Sequence, residues 1–472
     1  LTTLSFSSLN LHAELLANLS TLGYQTMTPI QAQSLPAIIK HCDVIAQAKT
    51  GSGKTAAFGL GVLQNLEPKR FRIQALVLCP TRELADQVAS EMRKLGRGIH
   101  NIKILTLCGG MAFGPQVGSL EHGAHIVVGT PGRVEEHLRK GTLKLADLKI
   151  FVLDEADRML DMGFQESLDN IIEAMPAKRQ TLLFSATFPE QIQKIAQRVM
   201  HEPKMIKAES EHDEESIEQL FYQVEENISR IDALRLLLLH YQPESAVVFC
   251  NTKIETQEVA DALRAHKFAA LAIHGDLEQK DRDQTLVRFA NKSISILVAT
   301  DVAARGLDIE SLDAVFNYQL PRELEVHTHR IGRTGRAGKK GIACTLYTEK
   351  ELYKLEKLAT YLNQAIKSTP LPARNLLAQA AYKPLMGTLQ IDAGKKQKIR
   401  AGDILGALTS KQETSKHETG DQGIDAKQVG KIQIFDNKAY VAVNRTVINM
   451  ALTKLSEGNL KGKSFKVRQL SA

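Results

Sequence analysis

No stretch of this chain is apolar for long enough to span a bilayer, which takes about eighteen uninterrupted residues. A membrane-spanning protein is therefore not expected. Residues 1–15 hold no basic run ahead of an apolar core, so a secretory signal is not expected either. Cysteine is sparse, with only Cys42, Cys79, Cys108, Cys250 and Cys344. No two of them form a C-x-x-C pair and no Cys/His group has ligand spacing, which argues against a metal cluster. Most lie in apolar runs and read as buried thiols of a reducing, cytoplasmic compartment. An excess of one charge is missing from most of the chain as well. Residues 385–472 carry 15 Lys and Arg against 8 Asp and Glu, so the whole net charge of +7 falls there and residues 1–384 balance. A basic module on a neutral body points to a polyanion-binding appendage. A surface kept basic for solubility is the plain alternative.

What is present is α/β grammar, written twice. The 472 residues suit two or three domains, and 43% apolar content is ordinary for a globular chain. Short apolar runs at 43–48, 74–80, 102–109, 125–130, 149–154 and 179–185 read as strands buried on both faces. Helix-period segments such as 83–95 and 132–139 lie between them, which implies a parallel sheet flanked by helices. The acidic, polar stretch 209–218 reads as a linker. Strands then recur at 246–250, 269–274, 294–300, 313–319 and 341–347, with helices at 256–265 and 281–289. Three prolines near 368–384 interrupt the pattern. A smaller βαββαβ module follows, of the ferredoxin-like, RNA-recognition type, with a hairpin turn at Asp436 and Asn437. The expected domains are 1–208, 219–372 and 385–472, with linkers at 209–218 and 373–384.

Two segments carry chemistry. Ala48, Lys49, Thr50, Gly51, Ser52, Gly53, Lys54 and Thr55 follow a strand and open a helix. Glycines let successive N–H groups curl around phosphate oxygens, and the helix N-terminus adds partial positive charge. Lys54 would reach the β- and γ-phosphates and the Thr55 hydroxyl would ligate Mg²⁺. The usual pattern opens with Gly, where Ala48 stands here. Asp154, Glu155, Ala156 and Asp157 end an apolar strand, at the edge where open α/β sheets bind ligands. Asp154 would hold Mg²⁺ through water, and Glu155 would orient and deprotonate the attacking water. Asp157 is better placed to couple other motifs. An ordinary turn and a solvated helix start are the plain alternatives, and the pairing of the two segments argues against both. ATP with Mg²⁺ is the expected cofactor set.

The tetrad Asp154–Asp157, the run Ser185, Ala186, Thr187 and the segment His329, Arg330, Ile331, Gly332, Arg333, Thr334, Gly335, Arg336 together resemble a DEAD-box RNA helicase. Further matches lie at 23–31, 80–85, 109–110, 130–133, 249–252, 279–282 and 299–308. The segment 394–408 resembles the DbpA subfamily, bacterial helicases directed to large-subunit ribosomal RNA. The resemblance implies two tandem RecA-like parallel-sheet domains and a C-terminal RRM-like α+β domain. It implies that Gln31 reads the adenine edge, with Tyr24 and Thr26 nearby and Phe6 packing on the base; Met27 stands where the family has proline. Arg333 and Arg336 match arginine fingers, which stabilise the transferring phosphoryl group once the domains close. Asp308 matches a ribose contact. Ser185 and Thr187 would cap the next helix, couple hydrolysis to strand separation through Asp157 as the resemblance implies, or do both.

RNA contacts are expected from Pro80, Thr81, Arg82, Gly110, Thr130 and Arg133, all just beyond strands of the first sheet. Thr252, Arg282, Thr300 and Arg305 would match them in the second domain. Small residues, hydroxyls and arginines suit phosphates and 2′-hydroxyls rather than base edges. In the C-terminal module Tyr440 keeps one aromatic of the usual stacking strand, and Ala442 replaces the other. Lys395, Lys396, Lys398 and Arg400 form one basic cluster; Lys461, Lys463, Lys466 and Arg468 form another. The expected function is an ATP-dependent RNA helicase, acting as a monomer and targeted to a large-subunit ribosomal RNA hairpin. A general mRNA-remodelling helicase and an ATP-gated RNA clamp are the competing readings.

Overall fold

The computed structural model describes residues 4–48, 51–207, 217–304, 312–335, 340–410 and 423–470. The chain falls into two compact units, one on each side of residues 208–216.

The first unit runs α1 (Ala13–Thr21), α2 (Pro29–Ile39), β1 (Val44–Gln47), α3 (Lys54–Gln64), β2 (Ala75–Leu78), α4 (Arg82–Leu95), β3 (Ile104–Leu107), α5 (Phe113–Glu121), β4 (Ile126–Gly129), α6 (Pro131–Arg139), β5 (Ile150–Asp154), α7 (Ala156–Asp161), α8 (Gln165–Glu173), β6 (Gln180–Ser185), α9 (Glu190–Val199) and β7 (Lys204–Lys207). Its strands form one parallel sheet in the order β3-β4-β2-β5-β6-β1-β7. Side chains alternate across a strand, so every central strand feeds two cores. Val44, Val77, Val152 and Phe184 pack on one face; Ile45, Leu76, Phe151 and Leu183 pack on the other. Each such buried side chain contributes roughly 1.5–3 kcal/mol. The edge strands differ from the expectation of burial on both faces: β3 is half-buried at Leu105 and Thr106, and β7 is mostly exposed.

The second unit continues with β8 (Ile217–Gln223), α10 (Arg230–Tyr241), β9 (Ala246–Cys250), α11 (Lys253–Ala265), β10 (Ala270–Ile273), α12 (Gln279–Ala290), β11 (Ile296–Thr300), α13 (Asp301–Ala304), β12 (Ala314–Asn317), α14 (Leu324–Ile331), β13 (Gly341–Tyr347), α15 (Leu352–Leu362) and β14 (Ser368–Thr369). These strands form a second parallel sheet, β10-β11-β9-β12-β13-β8-β14. The stretch after β14 is laid down on this sheet's helices: Leu371, Leu376 and Tyr382 pack against the core formed by Leu234, Leu238 and Phe268.

The C-terminal module adds β15 (Met386–Ile391), α16 (Ala401–Thr409), β16 (Val429–Ile434), β17 (Ala439–Asn444), α17 (Ile448–Glu457) and β18 (Val467–Leu470). Its antiparallel sheet has the order β16-β17-β15-β18. Leu389, Ile391, Val441 and Val443 pack under α16 and α17. All five cysteines are free thiols, and all but Cys42 are buried. No helix among the described residues is long and apolar enough to cross a membrane.

Candidate functional site

The phosphate loop leaves β1 at Ala48 and enters α3 at Lys54; Lys49 and Thr50 lie outside the described residues. Gly53, the N-cap of α3, sits at φ 90°. Only glycine is at ease there, and an added Cβ would stand 2.5 Å from Gln31 Nε2. Gly51 is also left-handed, at φ 84°. Ser52 and Thr55 are half-buried. Lys54 is buried, and its Nζ donates to the Ala48 carbonyl at 2.7 Å. Burial lowers its proton affinity, against the opposing pull of Asp154 and Glu155.

Gln31 is braced at both ends of its amide within the unit. Its Oε1 accepts from Thr28 N at 2.9 Å and its Nε2 donates to Gly53 O at 3.1 Å. The amide expected to read adenine is thus a strut between the start of α2 and the phosphate loop. Tyr24 donates its hydroxyl to Glu91 at 3.0 Å, and burial and that carboxylate push its pKa up to about 12. Phe6, expected to pack on the base, is buried edge-on against Tyr24 with ring centroids 6.0 Å apart. Thr26 is exposed and bridges to Ser5.

Asp154 ends β5, buried, and Glu155 caps α7 in a left-handed conformation at φ 54°. Such a backbone costs about 1–3 kcal/mol for a residue with a side chain. Asp154 Oδ1 has no hydrogen-bond partner among the described residues. Burial and the neighbouring Glu155 raise its pKa, while Lys54 works the other way. A buried carboxylate oxygen without a partner there, next to Glu155 and close to Lys54, fits a hydrated divalent cation. Glu155 Oε2 accepts from Arg158 Nη1 at 2.9 Å, a pair buried on both sides. Sequence reasoning missed Arg158; its signal was a basic residue three positions after Glu155, on the same helical face. Asp157 Oδ2 accepts from Thr187 N at 3.0 Å and Thr187 Oγ1 at 2.8 Å, and Asp157 N donates to Ser185 Oγ at 3.3 Å. Burial works against the Asp157 charge, but these bonds hold its pKa below the usual carboxylate value. The capping alternative for Ser185 and Thr187 does not hold, because Pro189 is the N-cap of α9.

The remaining loops of the first sheet leave the same carboxyl edge. Pro80 is buried, and Thr81 caps α4 by accepting from Leu84 N at 3.3 Å. Arg82 faces Asp86 at 3.6 Å. Gly110 is exposed at φ 74°, and Thr130 immediately precedes α6. Arg133 donates to Met111 O at 3.0 Å, pairs with Glu136 at 3.1 Å and lies over the Phe113 ring. Strand order therefore sorts these loops: β1, β5 and β6 carry the phosphate and acidic residues, while β2, β3 and β4 carry the others.

In the second unit the adjacent strands β10, β11 and β9 lead to Arg282, Thr300 and Thr252. Thr252 caps α11 through Glu255 N, and Thr300 Oγ1 accepts from Ala303 N. Arg305, Asp308 and Arg336 lie outside the described residues. Arg333 follows α14 and is 6% exposed. Arg330 is 1% exposed and ties together Asp301, Asn251, Asn317 and the Gln319 carbonyl.

In the C-terminal module Lys395, Lys396, Lys398 and Arg400 are exposed, as are Lys461, Lys463 and Lys466. Lys461 Nζ donates to Lys398 O at 2.5 Å and pairs with Asp403 at 3.2 Å, which merges the two basic loops into one patch. Tyr440 does not lie open for stacking. It is 6% exposed, edge-on to Phe435 at 5.7 Å, and hydrogen-bonded to Gln284 of α12. The covered face is a tertiary effect that no local pattern announces.

Residues 28–195 match the DEAD/DEAH box helicase family, residues 229–338 the helicase conserved C-terminal domain, and residues 388–469 the DbpA RNA binding domain. The chain is 52% identical over 467 residues to the ATP-dependent RNA helicase DbpA of Escherichia coli (strain K12), covering 99% of each. It is 44% identical over 355 residues to the DEAD-box ATP-dependent RNA helicase CshA of Geobacillus kaustophilus, covering 75% of this chain and 76% of that protein. The solved structure of S. cerevisiae Dbp5 bound to RNA and ADP BeF3 is similar with a TM-score of 0.70 at 29% identity, covering 80% of this chain and 100% of that one.

Proposed function

This chain belongs to the DEAD-box family of ATP-dependent RNA helicases, and we propose that its substrate is a hairpin region of 23S ribosomal RNA, opened locally during large-subunit assembly in the cytoplasm. The observation that carries this reading is the module at residues 388–469. It matches the DbpA RNA binding domain and holds all of the chain's net positive charge.

Within this reading each residue is assigned a role. Lys54 leaves the Ala48 carbonyl and turns its charge to the β- and γ-phosphates. Backbone N–H groups of residues 51–55 hold the phosphate oxygens at the start of α3. Thr55 and Asp154 would hold Mg²⁺, which neutralises phosphate charge when bound. Glu155, oriented by Arg158, takes the proton of the attacking water. Arg333 and Arg336 are the assigned fingers, and Asp308 the ribose contact. Gln31 keeps one amide hydrogen for adenine while its other bonds report the base to Gly53. Thr187 and Ser185 relay through Asp157.

RNA is gripped by Thr81, Arg82, Gly110, Thr130 and Arg133, with Thr252, Arg282, Thr300 and Arg305, through phosphates and 2′-hydroxyls. Such contacts are blind to sequence, so choice of RNA falls to the basic patch at Lys395–Gln397, Lys398, Arg400 and Lys461. The protein acts as a monomer in this scheme.

The test is ATPase activity with a large-subunit ribosomal RNA fragment against the same mass of bulk messenger RNA. Stimulation at least tenfold greater by the ribosomal fragment is expected, and equal stimulation refutes the targeting.

A further inference from the structure

The sheet of the C-terminal module has one face on its own helices and one face turned outward. Along the register Thr388 lies opposite Ala442 and Gln390 opposite Tyr440, so these four share the outward face. None is open to water: Thr388 and Gln390 are 0% exposed, Ala442 1% and Tyr440 6%. What covers them is α12 and the turn behind it. Thr388 Oγ1 donates to Ser293 Oγ at 2.8 Å, and Asn291 Nδ2 donates to Thr388 Oγ1 at 3.3 Å. Gln284 Nε2 donates to Gln390 Oε1 at 3.3 Å. Arg468 Nη2 donates to the same oxygen at 3.2 Å.

Polar groups buried on a sheet face are costly unless paired, and here they are paired across the two domains. The chain between the domains is fastened as well. Tyr382 is half-buried against the second domain's core, and Leu371 and Leu376 pack against the same core. Arg374 bonds Asn227. The strap ends three residues short of Leu385, so the module hangs from a fixed point beside the surface it covers.

The other end of α12 carries a different duty. Its first turn holds Arg282, the assigned RNA contact, and Gln284 sits two residues further on. One rigid helix therefore joins the helicase core's grip to the module's seat.

We infer that the module's sheet face is a permanent seat on α12, and that Gln284, Asn291 and Ser293 are positioning residues that fix the distance between the bound hairpin and the duplex to be opened. A seated face turns RNA to the patch around Lys398 and Lys461, on loops that the seat does not cover. A fixed distance makes unwinding depend on how many nucleotides separate hairpin from duplex. A module on a loose tether would reach many separations about equally. The inference rests on the module being the RNA address, and the experiment separates the two.

Two variants of the full chain test it. In the first, Thr388→Cys and Ser293→Cys are introduced on a Cys42→Ser background. The two hydroxyl oxygens already lie at 2.8 Å, within reach of disulfide geometry after a small shift. Near-complete cross-linking on mild oxidation, without RNA, is expected, with unwinding within about twofold of the reduced protein. In the second, Ser293→Arg wedges the face open from the helicase side. Hairpin affinity should stay within about threefold, while the peak in unwinding rate against hairpin–duplex spacing flattens at least fivefold. Failure to cross-link, a tenfold loss of unwinding on cross-linking, or an unchanged spacing profile in Ser293→Arg overturns the seat. A wild-type protein that prefers no hairpin sinks the targeting instead, and the cross-linking result still decides the seat.

Discussion

Replacing Arg330 by Met should cost the second domain about 4 kcal/mol of stability. The side chain is 1% exposed, and Met keeps most of its stem volume, so packing changes little. The loss is electrostatic. Arg330 donates to both Asp301 oxygens at 2.6 and 2.8 Å, to Asn251 Oδ1 at 2.8 Å, to Gln319 O at 3.0 Å and to Asn317 Oδ1 at 3.3 Å. Removing one partner of a buried ion pair typically costs about 3–5 kcal/mol. Asp301 is 24% exposed, so water can recover part of that, which favours the lower end. Asn317 is fully buried, and its orphaned oxygen adds about 1–3 kcal/mol. The guanidinium's place over the Phe249 ring adds roughly another 1 kcal/mol. These terms share one site and do not sum, so about 4 kcal/mol is the working figure. For a domain of this size it lowers the melting temperature by roughly 12 °C. Calorimetry of the full chain reads this as one displaced transition, with ATP affinity of the first unit unchanged. Adding Asp301→Asn should recover part of the loss, because no lone carboxylate then remains. A shift under about 2 °C together with lost ATPase would refute the scaffold assignment and place Arg330 at the reacting phosphate.

Glu155→Gln should bind ATP within about threefold of wild type yet lower hydrolysis at least a hundredfold; turnover retained above a tenth in a phosphate-release assay removes it as the base. Thr187→Val deletes one charge-assisted bond to Asp157, about 1.5–3 kcal/mol, and should depress duplex displacement more than tenfold while RNA-stimulated ATPase changes less than threefold. Equal loss of both activities would refute the relay. Burial, aided by Arg330, drops the His327 pKa from 6.5 to about 4, so the native state holds it neutral while the unfolded chain takes up a proton. Its share of stability is complete above pH 6.5 and falls as pH drops towards 4, by about 3 kcal/mol in all. Urea unfolding at pH 7 and pH 5 should show a smaller pH difference for His327→Gln, and an unchanged difference refutes it.

Much of the architecture was legible because central strands such as Ile150–Asp154 are apolar on both faces and bounded by polar turns. The strands that escaped notice, Ile217–Gln223, Lys204–Lys207 and Ser368–Thr369, lie towards or at sheet edges, where half the positions face water and the apolar run dissolves. Helices Ala13–Thr21 and Pro29–Ile39 also went unread; the second carries prolines at positions 29 and 36. At the site, the phosphate loop and acidic run were readable because their spacing is local. The partners of those residues were not. Gln31 bracing Gly53 and Asp157 gathering Ser185 with Thr187 depend on strands adjacent in space and distant in sequence. Tyr440 shows the limit most plainly: its strand position was readable, but its neighbour Gln284 comes from another domain.

The anchor at Tyr382 bears on how such proteins can be recombined. A designer who treats the C-terminal module as a portable cartridge would cut near residue 385 and graft it onto another motor. That cut discards Leu371, Leu376 and Tyr382, and the new host would lack Gln284, Asn291 and Ser293. The graft would hang free with four sheet positions newly wetted. The heritable unit is therefore larger than the module's own fold: it includes the strap and one helix of the motor, which must travel together.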